Sequence, residues 1–397
     1  MRRLANILLR TLAGRASRTT AGLTVCALAA AALAACSVDD DHDGHDARAG
    51  SGQVRTYYIA ADKVRWDYAP SGRNLITGKP FDDTANVFVK SGPGRIGRVY
   101  WKAQYRQYTG ADFRTRTEVP SQWKHLGLLG PAIHAEVGDT IKVVFRNNLD
   151  RPASVHPHGV HYDKGSEGAP YDDGTTGDAK ADDGVPPGGT HTYTWTVPER
   201  AGPGHMDASS TMWMYHSHVD EAADVYAGLM GPMIITRAGM ARPDGTPKDV
   251  DRELVVSFQV DDENQSWYLD DNVKSFAKGE APAEDAPDFG DFEESNLMHA
   301  MNGFVYGNLP GLDARQGERV RWYLMGMGTE VDLHTPHWHG DTVVIAGMRT
   351  DTTTVLPATM QVADMKPDNP GKWLFHCHVN DHISAGMQAV YTVGAAG

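Results

Sequence analysis

The strongest constraint on this chain is that it says much of itself twice. "LGPAIHAEVGDTIKVVF" (129–145) is echoed by "LPGLDARQGERVRWYL" (309–324), "HPHG" (156–159) by "HWHG" (337–340), and "WMYHSHVDEAADVYAGLMG" (213–231) by "WLFHCHVNDHISAGMQ" (373–388). A long-range repeat of this kind means one folding unit used twice. Between the repeated segments run short alternating apolar stretches such as "DTIKVVFRNN", "THTYTWTV" and "RELVVSFQV", separated by Gly, Pro and Asp clusters. These read as strands of β-sandwiches, so the expectation is an all-β chain of two similar domains, 55–240 and 250–397. The linker falls in "AGMARPDGTPKDV" (238–250), where Pro and Gly interrupt the strand pattern.

The N-terminus stands apart from this pattern. Arg2, Arg3, Arg10, Arg15 and Arg18 precede the apolar run "AGLTVCALAAAALAA", which is short for a membrane span and ends in small residues. Residues 1–36 therefore read as an export signal, and "LAAC" (33–36) has the form of a bacterial lipobox in which Cys36 carries the lipid anchor. The reading is an extracytoplasmic protein held at the cell membrane, or secreted if cleavage is of the ordinary kind. An acidic, Gly-containing tether follows over 37–54, where His42 and His45 read as solvated spacer.

Removing the signal also removes Cys26 and Cys36, which leaves Cys377 alone in the folded body and excludes an intrachain disulfide there. The remaining chain carries 32 basic against 51 acidic side chains, a formal balance of −19. Nucleic acid is excluded as a partner by that charge, whereas cations fit it.

Cys377 sits between two histidines, close to His382 and Met387. Thiolate, imidazole and a distant thioether make a trigonal copper site, and His334 in "HTPHWHG" is the natural second imidazole from another strand. Zinc prefers a tetrahedral site without thioether. Because side chains alternate across a strand, a Cys377 that faces one copper turns His376 and His378 toward another site. The same spacing pairs His156 with His158, His216 with His218, and His337 with His339. Eight imidazoles in four His-x-His pairs, two from each copy, suit a cluster of three coppers with open positions for oxygen species. The copies differ where it counts: Cys377 aligns with Ser217 and His382 with Ala222 or a near neighbour, so only the second copy holds a thiolate site.

These motifs, with "HLGLLGPAIHAEVGDTIKVVF", "YHSHVDEAADVYAGLMGPMII", "SWYLDDN", "MHAMNGFVYGNLPGL" and "WYLMGMGTEVDLHTPHWHG", resemble those of the multicopper oxidases, and in particular of ceruloplasmin-type ferroxidases, from about residue 95 to the end. The resemblance covers the first and last domains of that six-domain type. It implies two cupredoxin-like Greek-key β-sandwich domains and four coppers per functional unit. His334, Cys377, His382 and Met387 would bind the type 1 copper, and His156 and His337 the type 2 copper. The type 3 pair would take His158, His216 and His378 on one ion, and His218, His339 and His376 on the other. A two-domain chain similar to the small bacterial laccases would complete the cluster between subunits, as a homotrimer.

The implied reaction couples four one-electron oxidations to reduction of dioxygen to two waters. Glu294, His299 and Asp381 resemble the iron ligands of the ferroxidases, and hard carboxylate oxygens favour ferric over ferrous iron. A further acid in the six-domain type has no assignable match here; "EDAPDFGDFEES" (284–295) either supplies one or is a solvated loop. Asp381 also suits orientation of His382 or acceptance of a phenol's proton. Met298, Met301, Met325, Met327 and Met348 raise cuprous copper as a third donor, although their dispersal through apparent strands reads as core packing. Two other classes stand against the oxidase: a copper nitrite reductase, which Ser217 and the four His-x-His pairs argue against, and a non-catalytic copper carrier or buffer, which leaves eight histidines unexplained.

Overall fold

The computed structural model describes residues 52–396. The export signal with Cys26 and Cys36, and the tether segment with His42 and His45, lie outside the described residues. The first eight strands are β1 Val54–Asp67, β2 Val99–Tyr108, β3 Ile133–Glu136, β4 Thr140–Asn147, β5 His156–Pro157, β6 Thr190–Thr196, β7 Ser210–His216 and β8 Met230–Thr236. They form two sheets, β2-β1-β4-β6 and β3-β8-β7-β5.

The second set is β9 Arg252–Asp262, β10 Leu297–Met301, β11 Asp313–Arg315, β12 Val320–Gly326, β13 Pro336–Trp338, β14 Val343–Ile345, β15 Met348–Thr350, β16 Met360–Met365, β17 Gly371–Cys377 and β18 Gln388–Gly394. Its sheets run β10-β9-β12-β16-β14-β15 and β11-β18-β17-β13. Strand for strand this is the first pair of sheets again, with one added hairpin. The parallel pairings repeat too: β1 with β4 and β3 with β8, then β9 with β12 and β11 with β18. Five short helices lie on the connections: α1 Asp83–Val89, α2 Glu221–Ala227, α3 Leu269–Phe276, α4 Phe289–Ser295 and α5 Asn380–Ala385.

Alternation explains which side chains enter each core. In β4, Ile141, Val143 and Phe145 are buried while Lys142 is exposed, and in β6 Tyr193 and Trp195 face the same cluster. Strands β8 and β12 differ, because all seven residues of each are buried. Met233 and Ile235 of β8 enter their own sandwich, whereas Met230 and Ile234 enter a separate cluster. Likewise Trp322 and Leu324 of β12 enter theirs, and Tyr323 and Met325 join that same separate cluster. This third core is where the two sandwiches pack, which is why these strands read as continuous apolar runs.

Met301, Met325 and Met327 are buried in these cores, and Met298 in a fourth cluster to which both copies contribute. Met348, at the start of β15, is 71% exposed and departs from the core-packing expectation; it lies on the edge strand of its sheet.

Polar groups also cross the junction. Lys102 of β2 is fully buried, and its three ammonium donors reach Glu263 Oε1 at 2.5 Å, the Tyr226 carbonyl at 2.6 Å and the Tyr68 hydroxyl at 3.0 Å. Burial lifts the neighbouring Asp261 carboxyl to about 7, an effect the Lys102 charge opposes. Removing the ammonium alone strands the Glu263 charge in the interior. Lys102→Met is expected to destabilise the protein by about 3–5 kcal/mol, and Lys102→Met with Glu263→Gln by clearly less, as read by chemical denaturation.

Candidate metal centre

Strand β17 carries the sequence "FHC" into the junction between two sites. Cys377 ends the strand fully buried among apolar side chains, and His376 faces the other way. The Cys377 Sγ lies 3.5 Å from His382 Nδ1 and 3.9 Å from His334 Nδ1, and the two Nδ1 atoms are 3.2 Å apart. Met387 is fully buried in the same cluster, one residue past the left-handed Gly386 that ends α5. That glycine, at φ 109°, brings the chain back so that the Cys377 N–H bonds the Met387 carbonyl at 3.1 Å.

Each part of this pocket suits a soft, thiolate-preferring ion. The Thr335 N–H donates to Cys377 Sγ at 3.3 Å, as it would to a thiolate, and so works against the rise that burial imposes on the thiol. Burial and the neighbouring His334 pull His382 down to about 4, so its ring is neutral and can ligate. A thiol, two convergent imidazoles and a buried thioether side chain beside them fit copper better than zinc.

One carboxylate that the sequence reading did not pick out supports this pocket. Asp332 Oδ1 accepts from His334 Nε2 at 3.1 Å and from the Val260 N–H at 2.7 Å, while Oδ2 accepts from the Thr329 N–H at 2.8 Å. Both Asp332 and His334 are fully buried. The bond fixes the His334 tautomer and leaves Nδ1 free for a metal. The signal in the sequence was an acid two residues before the histidine.

The eight histidines of the His-x-His pairs form two groups. In the first copy, His158 Nε2 is 3.1 Å from His216 Nε2, and the His156 and His218 rings are centred 5.2 Å apart. In the second, His376 Nε2 lies 3.1 Å from His339 Nε2 and 3.2 Å from His337 Nδ1, with the His378 ring 5.3 Å from that of His337. His216 Nδ1 donates to the Ser217 carbonyl and His376 Nδ1 to the Cys377 carbonyl, at 3.0 and 2.7 Å. His156 Nδ1 donates to the Glu167 carbonyl at 2.6 Å. In all three the backbone takes Nδ1–H and turns Nε2 toward the neighbouring rings. Burial lowers His158 and His216 to about 4. Among the described residues no hydrogen bond or ring contact joins the two groups. One group borders a cleft of about 390 Å³ with Tyr162 and Arg200, the other a cleft of about 1050 Å³ with Asp351 and Trp373.

The three residues predicted to hold substrate also come together. His299 of β10 is 6% exposed, its ring 5.2 Å from that of His382, and its Nδ1 bonds the Leu297 carbonyl. Burial lowers His299, and the Asp381 charge works against that. Burial raises Glu294, at the end of α4, and Asp381 adds to the rise. Two exposed carboxylates thus act on each other, and one of them, Asp381, acts on a buried imidazole that adjoins a thiolate-site ligand. The remaining acids of 284–295, Glu284, Asp285, Asp288, Asp291 and Glu293, are exposed.

The repeat alignment needs one correction. Gly228 at φ 115° ends α2 as Gly386 ends α5, and the Ser217 N–H bonds the Leu229 carbonyl at 3.1 Å as Cys377 bonds Met387. Leu229 N–H bonds the Asp224 carbonyl at 3.0 Å, and Met387 N–H that of His382 at 2.9 Å. The residue opposite His382 is therefore not Ala222 itself but its near neighbour Asp224. Anchoring the repeat on its cysteine hid the two extra residues in the first copy's loop.

The fold and these clusters define a copper protein of two sandwich units, and the comparisons agree. Family models described as multicopper oxidase match residues 124–239 and 282–397. Ferroxidase HEPHL1 of Mus musculus is 46% identical over 344 residues, covering 86% of this chain and 29% of that protein. Human ceruloplasmin is 42% identical over 344 residues, covering 85% of this chain and 30% of that protein. A solved multicopper oxidase aligns at TM-score 0.53 and 18% identity over 86% of this chain and 89% of its own, a likeness of fold. The chain belongs to the multicopper oxidases, whose cofactor is copper, and its fold is all-β and cupredoxin-like. It spans less than a third of the length of these two relatives, HEPHL1 and ceruloplasmin.

Cys377→Ser is expected to abolish the intense blue absorption of the copper-loaded protein while leaving its circular dichroism unchanged. Asp332→Asn keeps the blue band but weakens copper retention about 10–100-fold, as read by chelator competition.

Proposed function

We propose that this chain is an exported two-domain multicopper oxidase of ferroxidase type, coupling four one-electron oxidations of ferrous iron to reduction of dioxygen to two waters. The observation that carries this reading is the His299 ring 5.2 Å from that of His382, with the Asp381 charge acting on both His299 and Glu294. Its domains are 55–240 and 250–397. Copper held by His334, Cys377, His382 and Met387 and by the eight paired histidines would supply the one-electron redox chemistry and the reduction of dioxygen.

The chain's own residues set up each end of that reaction. Exposed Glu294 and Asp381 offer hard oxygens to an incoming cation, and buried His299 offers one nitrogen behind them. Oxygen ligands hold ferric iron more tightly than ferrous iron, so they favour loss of the electron. The His299 ring bridges that position to His382, whose Nδ1 faces Cys377 Sγ. Cys377 in turn is flanked in the chain by His376 and His378, a covalent link of one residue between the thiolate pocket and the histidine cluster.

The type 1 set is His334, Cys377, His382 and Met387; the type 2 set is His156 and His337. The type 3 sets are His158, His216 and His378, and His218, His339 and His376. The 3.1 Å approaches of His158 to His216 and of His339 to His376 support the grouping of those pairs on shared ions. The type 2 set and both type 3 sets join histidines from both groups, and these border separate clefts in one chain. We therefore assign the cluster to the interface between subunits of a homotrimer, with lipidated Cys36 as the anchor to the membrane.

Oxygen uptake by the copper-loaded protein tests the donor. In a Glu294→Ala, His299→Ala double variant, turnover of ferrous iron is expected to fall about tenfold or more, ~1.4 kcal/mol in the barrier, with turnover of a phenol retained. Unchanged iron kinetics with good phenol turnover would make the enzyme a small laccase. Copper binding without oxygen uptake from either donor would make it a carrier or buffer. Gel filtration with light scattering is expected to find activity only in the oligomer; a fully active monomer contradicts the intersubunit cluster.

A further inference from the structure

In the second copy, the three side chains converging beside Cys377 tie two chain segments together. One segment carries His337 and His339, the other His376 and His378. The first copy must hold its own two His-x-His segments without any such site, because Ser217 stands where the cysteine would be.

What occupies that place is a buried hydrogen-bonded network. The Ser154 N–H bonds Ser217 Oγ at 3.1 Å, as the Thr335 N–H bonds Cys377 Sγ at 3.3 Å. Ala153 pairs with Val185 as His334 pairs with Val355. Position by position, Ala153, Ser217, Asp224 and Leu229 replace His334, Cys377, His382 and Met387. Asp224 is 1% exposed, and its Oδ2 accepts from the Ser217 hydroxyl at 2.5 Å and from the N–H groups of Val219 and Asp220 at 3.0 and 3.2 Å. Ser154, fully buried, accepts from the His218 N–H at 3.0 Å through Oγ and donates that hydroxyl to the Gly168 carbonyl at 2.6 Å. Its own carbonyl accepts from the Tyr105 hydroxyl at 2.5 Å.

Two of these residues lie within the histidine segments themselves. Ser217 separates His216 from His218, and Ser154 lies two residues before His156. The carboxylate therefore holds Ser217, Ser217 holds Ser154, and Ser154 holds the backbone of His218. A carboxylate buried at such depth is costly unless its donors are fixed in place, and Asp224 has three on one oxygen. The other oxygen, Oδ1, is buried with no hydrogen-bond partner among the described residues.

We propose that Asp224 is a positioning residue for the copper cluster: acting through Ser217 and Ser154, it fixes both histidine segments of the first copy, the task that the thiolate site performs in the second. This rests on the reading that the eight histidines hold copper. It requires nothing of the ferroxidase assignment.

The test is copper content and spectroscopy of Ser217→Ala, Asp224→Ala and Asp224→Asn beside the parent, each loaded with cuprous copper under reducing conditions and then oxidised. The parent establishes the premise: copper beyond the blue centre must be present, and its absence overturns the cluster reading rather than this proposal. In Asp224→Ala, affinity for the cluster copper is expected to drop about 10–100-fold in chelator competition, with the blue band of the Cys377 site at parental intensity. Asp224→Asn keeps an oxygen for the same donors and is expected to fall between the two. Ser217→Ala removes a single hydroxyl and decides the matter if Asp224→Ala does not fold. Parental cluster occupancy in folded Ser217→Ala and Asp224→Ala would overturn the proposal. Parallel loss of the blue band and the cluster copper would also overturn it, by showing general destabilisation.

Discussion

The pleat of one strand end organises everything chemical in this protein. Successive side chains of a β-strand point to opposite faces, so His376, Cys377 and His378 cannot share a site. The thiol goes into the sandwich with His334, His382 and Met387, and the two imidazoles go out toward the other histidines. A single residue of backbone then separates two sites of different chemistry, and no rearrangement of loops can part them. The surrounding sheet order, with β13 beside β17, brings His337 and His339 to the same edge through the Pro336 to Cys377 and His337 to His376 register.

Duplication supplies the rest. Both sandwiches have the same strand order and the same parallel pairings, so a His-x-His pair on β5 and another at the end of β7 fall where β13 and β17 place theirs. What diverged is the interior beside them. One copy has a soft-metal pocket, the other a carboxylate and hydroxyl network of nearly the same backbone geometry. The left-handed glycines at 228 and 386 make that comparison possible, since each turns the chain so that the following residue returns to the strand end.

The parts of this picture legible in the sequence were those with short, fixed spacing. Four His-x-His pairs and the Cys377, His382, Met387 run declare themselves because strand alternation and one helical turn are local geometry. Repeated segments likewise disclosed two equivalent sandwiches. Less legible were contacts that depend on loop conformation. Asp332 reaches His334 only because the chain turns at 329–332, and Asp224 takes the place opposite His382 only because two extra residues are absorbed before Gly228. Lys102 was invisible for another reason. A lysine in an alternating strand reads as solvent-facing, and here the second sandwich covers that face and supplies Glu263.

The relation between the two histidine groups follows from where each sandwich edge points. His156 and His158 border one cleft, His337 and His339 another, and each group alone offers too few convergent nitrogens for three ions. Longer relatives carry further chain between or beyond the matching regions, and this chain spans less than a third of their length. A cluster that needs donors from both kinds of sandwich can be closed within one long chain or by a second copy of a short one. In the proposed trimer the symmetry does the work of the additional domains, because a head-to-tail contact that closes into a ring presents the first copy of one subunit to the second copy of the next at every interface. The catalytic centre would then report assembly directly, since its donors are complete only where two subunits meet.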